Sequence, residues 1–276
     1  MNIGIIGLGL MGGSLGLALK NFPNKYTIIG YDHNKIHQED ALKLQLIDRL
    51  ADDFSEVKKC DVIVLTIPVD AIIKTTQTLI DVHQDCTIID FGSSKEKIDS
   101  AIPSIIRQNF VTAHPMTGTE KFGPTAAIEG LYREKTMVIC NQEKTGISQN
   151  SIALAIFQDI KAKVVFMGAK EHDKHAAFIS HMPHAVSYAI ANSVMKQEDP
   201  KSITALAGGG FRSMSRIAKS SPTMWEDIFR QNKSNLLESI EAFNQEMKLC
   251  QQFIEDENWK ALHHWMKKAN GLHEIL

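Results

Sequence analysis

The sequence predicts an α/β fold, a doubly wound, mainly parallel sheet followed by an all-helical domain. Three observations lead there. Short apolar runs alternate with helical stretches over the first 167 residues, a glycine-rich turn joins the first run to the first helix, and no convincing strand follows Gly168.

Residues 3–6 are a short apolar run ending at Gly7, the pattern of a strand buried on both faces. Helical spacing is expected over 13–20, 41–46 and 71–82. Between and after these lie further strand candidates at Thr27–Tyr31, 62–66, Thr87–Asp90, 110–113, Thr136–Cys140 and Lys163–Met167. Residues 170–196 carry a long helical pattern interrupted only around Pro183. From Met224 onward Trp225, Ile228, Phe229, Leu236, Leu237, Ile240, Phe243 and Met247 recur at helical spacing. The chain therefore divides into residues 1–167 and 168–276.

Composition narrows the function classes. The chain has 276 residues, 43% of them apolar, and a formal net charge of −2, which gives no basic surface for nucleic acid. Cys60, Cys86, Cys140 and Cys250 form no Cys-x-x-Cys pair and read as buried thiols in a reducing compartment. Residues 1–19 are uncharged but lack a basic leader and hold six glycines, too many for a membrane helix. A cytoplasmic protein without membrane contact is expected.

Gly7-Leu8-Gly9-Leu10-Met11-Gly12 matches G-x-G-x-x-G between a strand and a helix, the context that makes the pattern a dinucleotide site of the Rossmann type. Gly7 permits the tight turn, Gly9 lets the backbone approach a pyrophosphate, and Gly12 lets the helix pack on the strand. The phosphates would meet free N–H groups and the positive helix end. Asp32, at the end of the second strand, is placed to accept hydrogen bonds from the adenosine ribose and to repel a 2′-phosphate, which favours NAD over NADP. His33 and Lys35 temper that preference. Thr66-Ile67-Pro68 and the segment 90–95 also end strands, so Thr66, Pro68 and Ser93 are further cofactor candidates.

Four other patterns carry chemistry: Gly92-Ser93-Ser94-Lys95, His114-Pro115-Met116-Thr117-Gly118-Thr119-Glu120, Ser180-His181-Met182-Pro183-His184, and the run from Gly210 to Ala218 holding Arg212, Ser213 and Arg216. With the glycine loop and Met224-Trp225, in this order over nearly the whole chain, the sequence resembles the prephenate/arogenate dehydrogenase family. The resemblance implies a nucleotide-binding domain followed by a helical dimerisation domain, hence a homodimer through the C-terminal helices, with a small-molecule substrate. The implied reaction is the NAD-dependent oxidative decarboxylation of prephenate to 4-hydroxyphenylpyruvate in tyrosine biosynthesis. Arogenate, which carries an ammonium in place of the keto group, is the alternative substrate.

His114 follows an apolar run and should emerge at a strand end, where a neutral imidazole can accept a hydrogen bond from the substrate hydroxyl. The resemblance places the catalytic histidine here and a hydroxyl-binding serine at Ser93, which could equally cap a helix starting near Lys95. Arg216 suits a substrate carboxylate, since a guanidinium binds it in a planar, bidentate way. Arg212, Thr119, Glu120, His184 and Trp225 are the other substrate-side candidates, and His181 a supporting one. Where relatives often carry aspartate after the Arg212 position, this chain has Ser213, so an ion pair made by that acid is not expected. His172, His175, His181 and His184 have paired spacings but no acid or cysteine that completes a metal set, so no metal is expected. Two other readings share the glycine loop. A β-hydroxyacid dehydrogenase would use a lysine such as Lys170 or Lys174, and a non-catalytic NAD(H)-sensing dimer would not need His114 and Arg216 together.

Overall fold

The computed structural model describes residues 1–197 and 199–275. Among the described residues eight strands form one sheet: β1 (Asn2–Ile6), β2 (Thr27–Tyr31), β3 (Arg49–Leu50), β4 (Val62–Leu65), β5 (Thr87–Asp90), β6 (Phe110–Pro115), β7 (Thr136–Cys140) and β8 (Lys163–Met167). Their spatial order is β3-β2-β1-β4-β5-β6-β7-β8. All neighbours are parallel except β6 and β7, which run antiparallel with His114 opposite Val138. This is the mainly parallel, doubly wound sheet that the alternating pattern predicts.

Alternate side chains of the central strands feed two cores. Ile3, Ile5, Val62, Val64, Ile89 and Val111 pack with Leu15 and Leu19 of the helix Leu10–Lys20 and with Ala153, Ile156 and Phe157 of Ile147–Asp159. Ile6, Ile63, Leu65, Ile88 and Phe110 point the other way, against Val69 and Ile72 of Val69–Thr76 and Ile98 of Glu96–Ala101. Burial on both faces is why these strands read as continuous apolar runs. Cys60, Cys86 and Cys140 are buried, and burial pushes their thiols up to about 11, 12 and 12.

Several boundaries differ from the sequence expectation. The first helix begins at Leu10 rather than residue 13, the second spans Lys35–Lys43 rather than 41–46, and the third ends at Thr76 rather than 82. Asn34 explains the second shift, because its side chain accepts from Ile36 N and starts the helix early. After Gly168 the described residues are helical or irregular, beginning with Ala169–Ala176 and Met182–Met195. The interruption near Pro183 falls ahead of it, as a widened π-helical turn at Ala177–His181. Proline has no N–H and its ring crowds the carbonyl four residues back, so the preceding turn opens.

The connection from β1 to the first helix is the tightest point of the fold. Gly7 adopts φ +95°, which L side chains rarely adopt. A Cβ on Gly12 would stand 2.0 Å from Gly7 O and 2.6 Å from Thr66 Oγ1. Gly12→Ala should therefore lower stability by about 1–3 kcal/mol through overpacking. Thermal unfolding of the variant checks this, and an unchanged midpoint would contradict the packing.

Candidate active site

The sheet order reverses between β1 and β4, and in open parallel sheets the crevice beyond such a point is where ligands bind. The glycine loop lies there. Leu8 N donates to Asp32 Oδ2 (2.8 Å), and Asn34 N donates to Asp32 Oδ1 (2.8 Å). Asp32 is buried, with His33 and His37 Nδ1 atoms each 3.4 Å from one of its oxygens. Thr66 Oγ1 donates to Gly7 O (2.6 Å), so its hydroxyl braces the loop. Leu8 and Leu10 bury their side chains, and Met11 O accepts from Tyr132 Oη (2.6 Å), leaving mainly backbone facing outward. Pro68 is exposed and opens the helix Val69–Thr76.

The loop fits a dinucleotide phosphate on two grounds. No side chain caps the helix Leu10–Lys20, so its first-turn amides are available. A Cβ on Gly9 would meet only Gly123 N, at 4.0 Å, so the space in front of that residue is open.

On the neighbouring strand ends, His114 emerges from β6 and Ser93 follows β5. Ser93 does not cap a helix. The helix Glu96–Ala101 receives its cap from Asp173, whose Oδ1 accepts from Lys95 N (2.7 Å) and Oδ2 from Glu96 N (3.0 Å). Lys95 itself is buried, its ammonium bonded to the Asp90 carboxylate and to Ala113 O (2.7 Å). That bond ties the segment holding Ser93 to the strand residue just before His114.

His114 Nδ1 lies 2.8 Å from His172 Nε2, and His172 Nδ1 lies 2.8 Å from Asp173 Oδ1. Burial works to raise the Asp173 carboxyl, but the hydrogen bonds from His172 and from the Glu96 and Lys95 amides outweigh it and hold it below the ordinary range. An ionised carboxylate only accepts, so His172 carries its proton on Nδ1. With that proton on Nδ1, His172 offers its Nε2 lone pair to His114 Nδ1–H, which leaves His114 Nε2 as an acceptor. Burial, and then the nearby His172, Lys95 and His181, hold the His114 imidazole well below its ordinary value. His114 is therefore a neutral base at physiological pH.

The helical region supplies the opposite wall. Trp225 is buried in Pro222–Gln231, stacked on His184 with centroids 3.5 Å apart and edge-on to His181 at 6.1 Å. His184 Nδ1 donates to Ser180 O (2.9 Å), which frees its Nε2. His181 is buried beside Asn232, whose Nδ2 also donates to Asp173 O (2.6 Å). Arg216 Nη1 stands 3.6 Å from Glu120 Oε2, so these two candidates meet each other across the cleft. Thr119 Oγ1 accepts from Lys121 N (3.2 Å) and shapes the loop carrying Glu120. Arg212 is not drawn in. It is exposed, its Nε donates to Ala207 O (3.1 Å), and no hydrogen bond or ion pair among the described residues joins it to the other candidates. Ser213 is exposed beside it. The alternative lysine Lys174 is exposed and faces Glu238 at 3.5 Å.

The sequence profile of the prephenate dehydrogenase nucleotide-binding domain matches residues 15–166, and that of the prephenate dehydrogenase dimerization domain matches residues 168–268. The chain belongs to the prephenate dehydrogenase family. It is 34% identical to a Bacillus subtilis prephenate dehydrogenase over 99% of this chain and 75% of that one. Among solved structures, an Aquifex aeolicus prephenate dehydrogenase in complex with hydroxyphenyl propionate and NAD+ superposes with a TM-score of 0.92 at 31% identity, covering 100% of this chain and 98% of that chain. A Synechocystis arogenate dehydrogenase gives 0.83 at 27% identity, covering 100% and 99%.

Sequence reasoning weighed His172 only as a metal ligand and passed over Asp173; among the described residues no group of three or more His, Cys, Asp or Glu could hold a metal ion. Their signal was there in another form. A histidine next to an acid, on a helix predicted to start at 170, is a pair that can turn inward together. Asn232 was also missed, and Asp90 and Lys95, although they lie in segments singled out above, were given no role of their own, since polar residues read as surface until their burial is known.

The buried histidines make stability depend on pH. Burial lowers His181 to about 4, against an unfolded value of 6.5, and lowers His114 and His184 as well. Between pH 6.5 and about 4 the unfolded chain takes up protons that the folded chain refuses, so stability is lost as pH falls through that window. The thermal midpoint should drop on acidification across it, and drop less steeply in His181→Gln. An equal slope in the variant would remove His181 from this account.

Proposed function

We propose that this chain is an NAD-dependent prephenate dehydrogenase, converting prephenate to 4-hydroxyphenylpyruvate and CO2. The observation that carries the reading is the free Nε2 of a neutral His114, held by His172 at the strand ends beside an open glycine loop. The NAD+ bound to the similar Aquifex aeolicus enzyme supports the cofactor. Gly7, Leu8, Gly9, Leu10, Met11 and Gly12 would receive the pyrophosphate on backbone amides and Asp32 the ribose hydroxyls, with Thr66 bracing the loop. When bound, NAD supplies the hydride acceptor.

The chain's own residues do the rest. His114 Nε2 takes the ring hydroxyl proton as carbonyl character develops at that carbon, and Ser93 donates to or accepts from the same oxygen. The opposite ring carbon loses CO2, its bonding electrons pass into the ring, and aromaticity drives the step. His114 then returns the proton to the phenolic oxygen, so no net proton is consumed. Arg216 holds a carboxylate beside the wall formed by Trp225 stacked on His184.

The similarity to the Bacillus subtilis prephenate dehydrogenase supports prephenate over arogenate. Arg216 is 60% and Glu120 29% exposed, so the pair is weakly bound and a substrate carboxylate can replace Glu120 on the guanidinium. The likeness to the Synechocystis arogenate dehydrogenase keeps arogenate as the second substrate to test.

We read the protein as a cytoplasmic homodimer through its C-terminal helices. Leu237, Met247, Leu249, Ile254, Trp259 and Met266 are exposed on Lys233–Glu255 and Trp259–Asn270, an apolar surface suited to a second copy. No helix of the described residues is long and apolar enough to cross a membrane.

Mixing the protein with NAD+ and either prephenate or arogenate should yield NADH and the aromatic product faster with prephenate. No turnover of either would overturn the reading, and a preference for arogenate would make arogenate the substrate. His114→Ala should lower mainly kcat, by about 100-fold or more for loss of a general base, whereas Arg216→Ala should chiefly raise KM. Gly9→Ala should fold normally, because its Cβ meets open space, yet weaken NAD binding measured by calorimetry.

A further inference from the structure

The carboxylate of Asp173 accepts three N–H donors, from Lys95 and Glu96 in the segment after β5 and from the imidazole of His172. It is buried, and so are His172 and Lys95. We propose that Asp173 is the positioning residue that sets Ser93 and His114 in register with each other. The proposal rests on the roles given to those two residues above.

Each half of the argument is geometric. Ser93 sits in a short connection anchored at one end by β5, where Gly92 N donates to Asp90 Oδ1 (2.9 Å). Its other end is the start of Glu96–Ala101, a six-residue helix with no local side-chain cap. Asp173 caps it from 77 residues away, binding the amides two and three positions beyond Ser93. The hydroxyl of Ser93 is thereby left free of capping. On the other side, Asp173 fixes the proton of His172 on Nδ1, so His172 Nε2 accepts from His114 Nδ1–H. His114 is held in the one tautomer whose Nε2 can take a proton from substrate. One oxygen, Asp173 Oδ1, receives both the Lys95 amide and the His172 ring, so the two groups share an anchor.

Asp173 is itself fixed from the helical region. Its backbone carbonyl accepts from Asn232 Nδ2 (2.6 Å), at the junction of Pro222–Gln231 and Lys233–Glu255. Nearby, Arg230 pairs with Asp70 (2.5 Å) and Lys97 Nζ donates to Arg230 O (3.1 Å), ties that hold the helical region against the sheet domain. The anchor of both reacting groups is thus held from the helical region as well as from the sheet domain.

The test reads the His114 tautomer by 15N NMR of histidine-labelled protein, together with kcat and KM. In the native chain His114 should carry its proton on Nδ1. His172→Asn keeps an N–H for Asp173 at the Nδ1 position and leaves the Asp173 cap on Glu96–Ala101, but it is too short to accept from His114, so the His114 tautomer should become mixed and kcat should fall about 10–100-fold, with KM for NAD+ changed little. Asp173→Asn should do the same and also perturb the cap. A native His114 protonated on Nε2, or a His172→Asn chain that keeps kcat within about two-fold, would overturn the proposal. The tautomer is measurable on a chain that turns over no prephenate, so failure of the substrate reading and failure of this proposal are distinguishable.

Discussion

The arrangement of this molecule depends on a buried carboxylate that stays ionised. Asp173 is removed from water, a change that by itself favours the neutral acid, and three N–H donors reverse that preference. Because it remains an acceptor, the direction of every hydrogen bond beyond it is decided. His172 must donate on one nitrogen and accept on the other, and His114 must turn its lone pair away from His172. A single charge at the start of the helical region thereby determines which atom of His114 meets the cleft. The buried Lys95–Asp90 pair plays a related part, joining the end of β5 to the carbonyl of Ala113 just before His114.

The glycine loop shows the same economy in backbone. Gly7 turns the chain through a left-handed conformation, Gly12 brings the first helix within contact of Gly7 O, and Thr66 closes the gap with its hydroxyl. Asp32 fastens Leu8 from the second strand. Close packing beneath the loop contrasts with open space above Gly9. The same segment is therefore rigid toward the core and accessible toward the cleft, as a phosphate site requires.

Much of this was legible in the sequence. The alternation of apolar runs with helical stretches contained the doubly wound sheet, and the glycine spacing marked the tight turn from β1 into the first helix. The two-residue β3 was too short to show a period, and Ile147–Asp159 passed unread because apolar residues such as Ile152, Leu154 and Ile156 leave little polar face to mark its pitch. The antiparallel step between β6 and β7 is a matter of tertiary pairing that no local pattern carries. His114, Ser93, Arg216 and Glu120 stood out as residues that could react or bind, but their supports did not. That Glu120 would face Arg216, and that Asp173 would cap a helix 77 residues earlier, are long-range encounters between side chains that look like ordinary surface charges in the sequence. Arg212, equally prominent in its motif, points back to its own loop.

The central claim is that His114 presents Nε2 to the oxygen of the substrate ring while Arg216 takes a carboxylate. A crystal structure of this chain with NAD+ and hydroxyphenyl propionate, the pair bound in the Aquifex aeolicus enzyme, measures that contact directly. The account predicts the phenolic oxygen about 2.6–3.2 Å from His114 Nε2, with His114 Nδ1 still on His172 and the ligand carboxylate on Arg216. A phenolic oxygen bound elsewhere, or a His114 ring rotated so that Nδ1 faces the ligand, would contradict it.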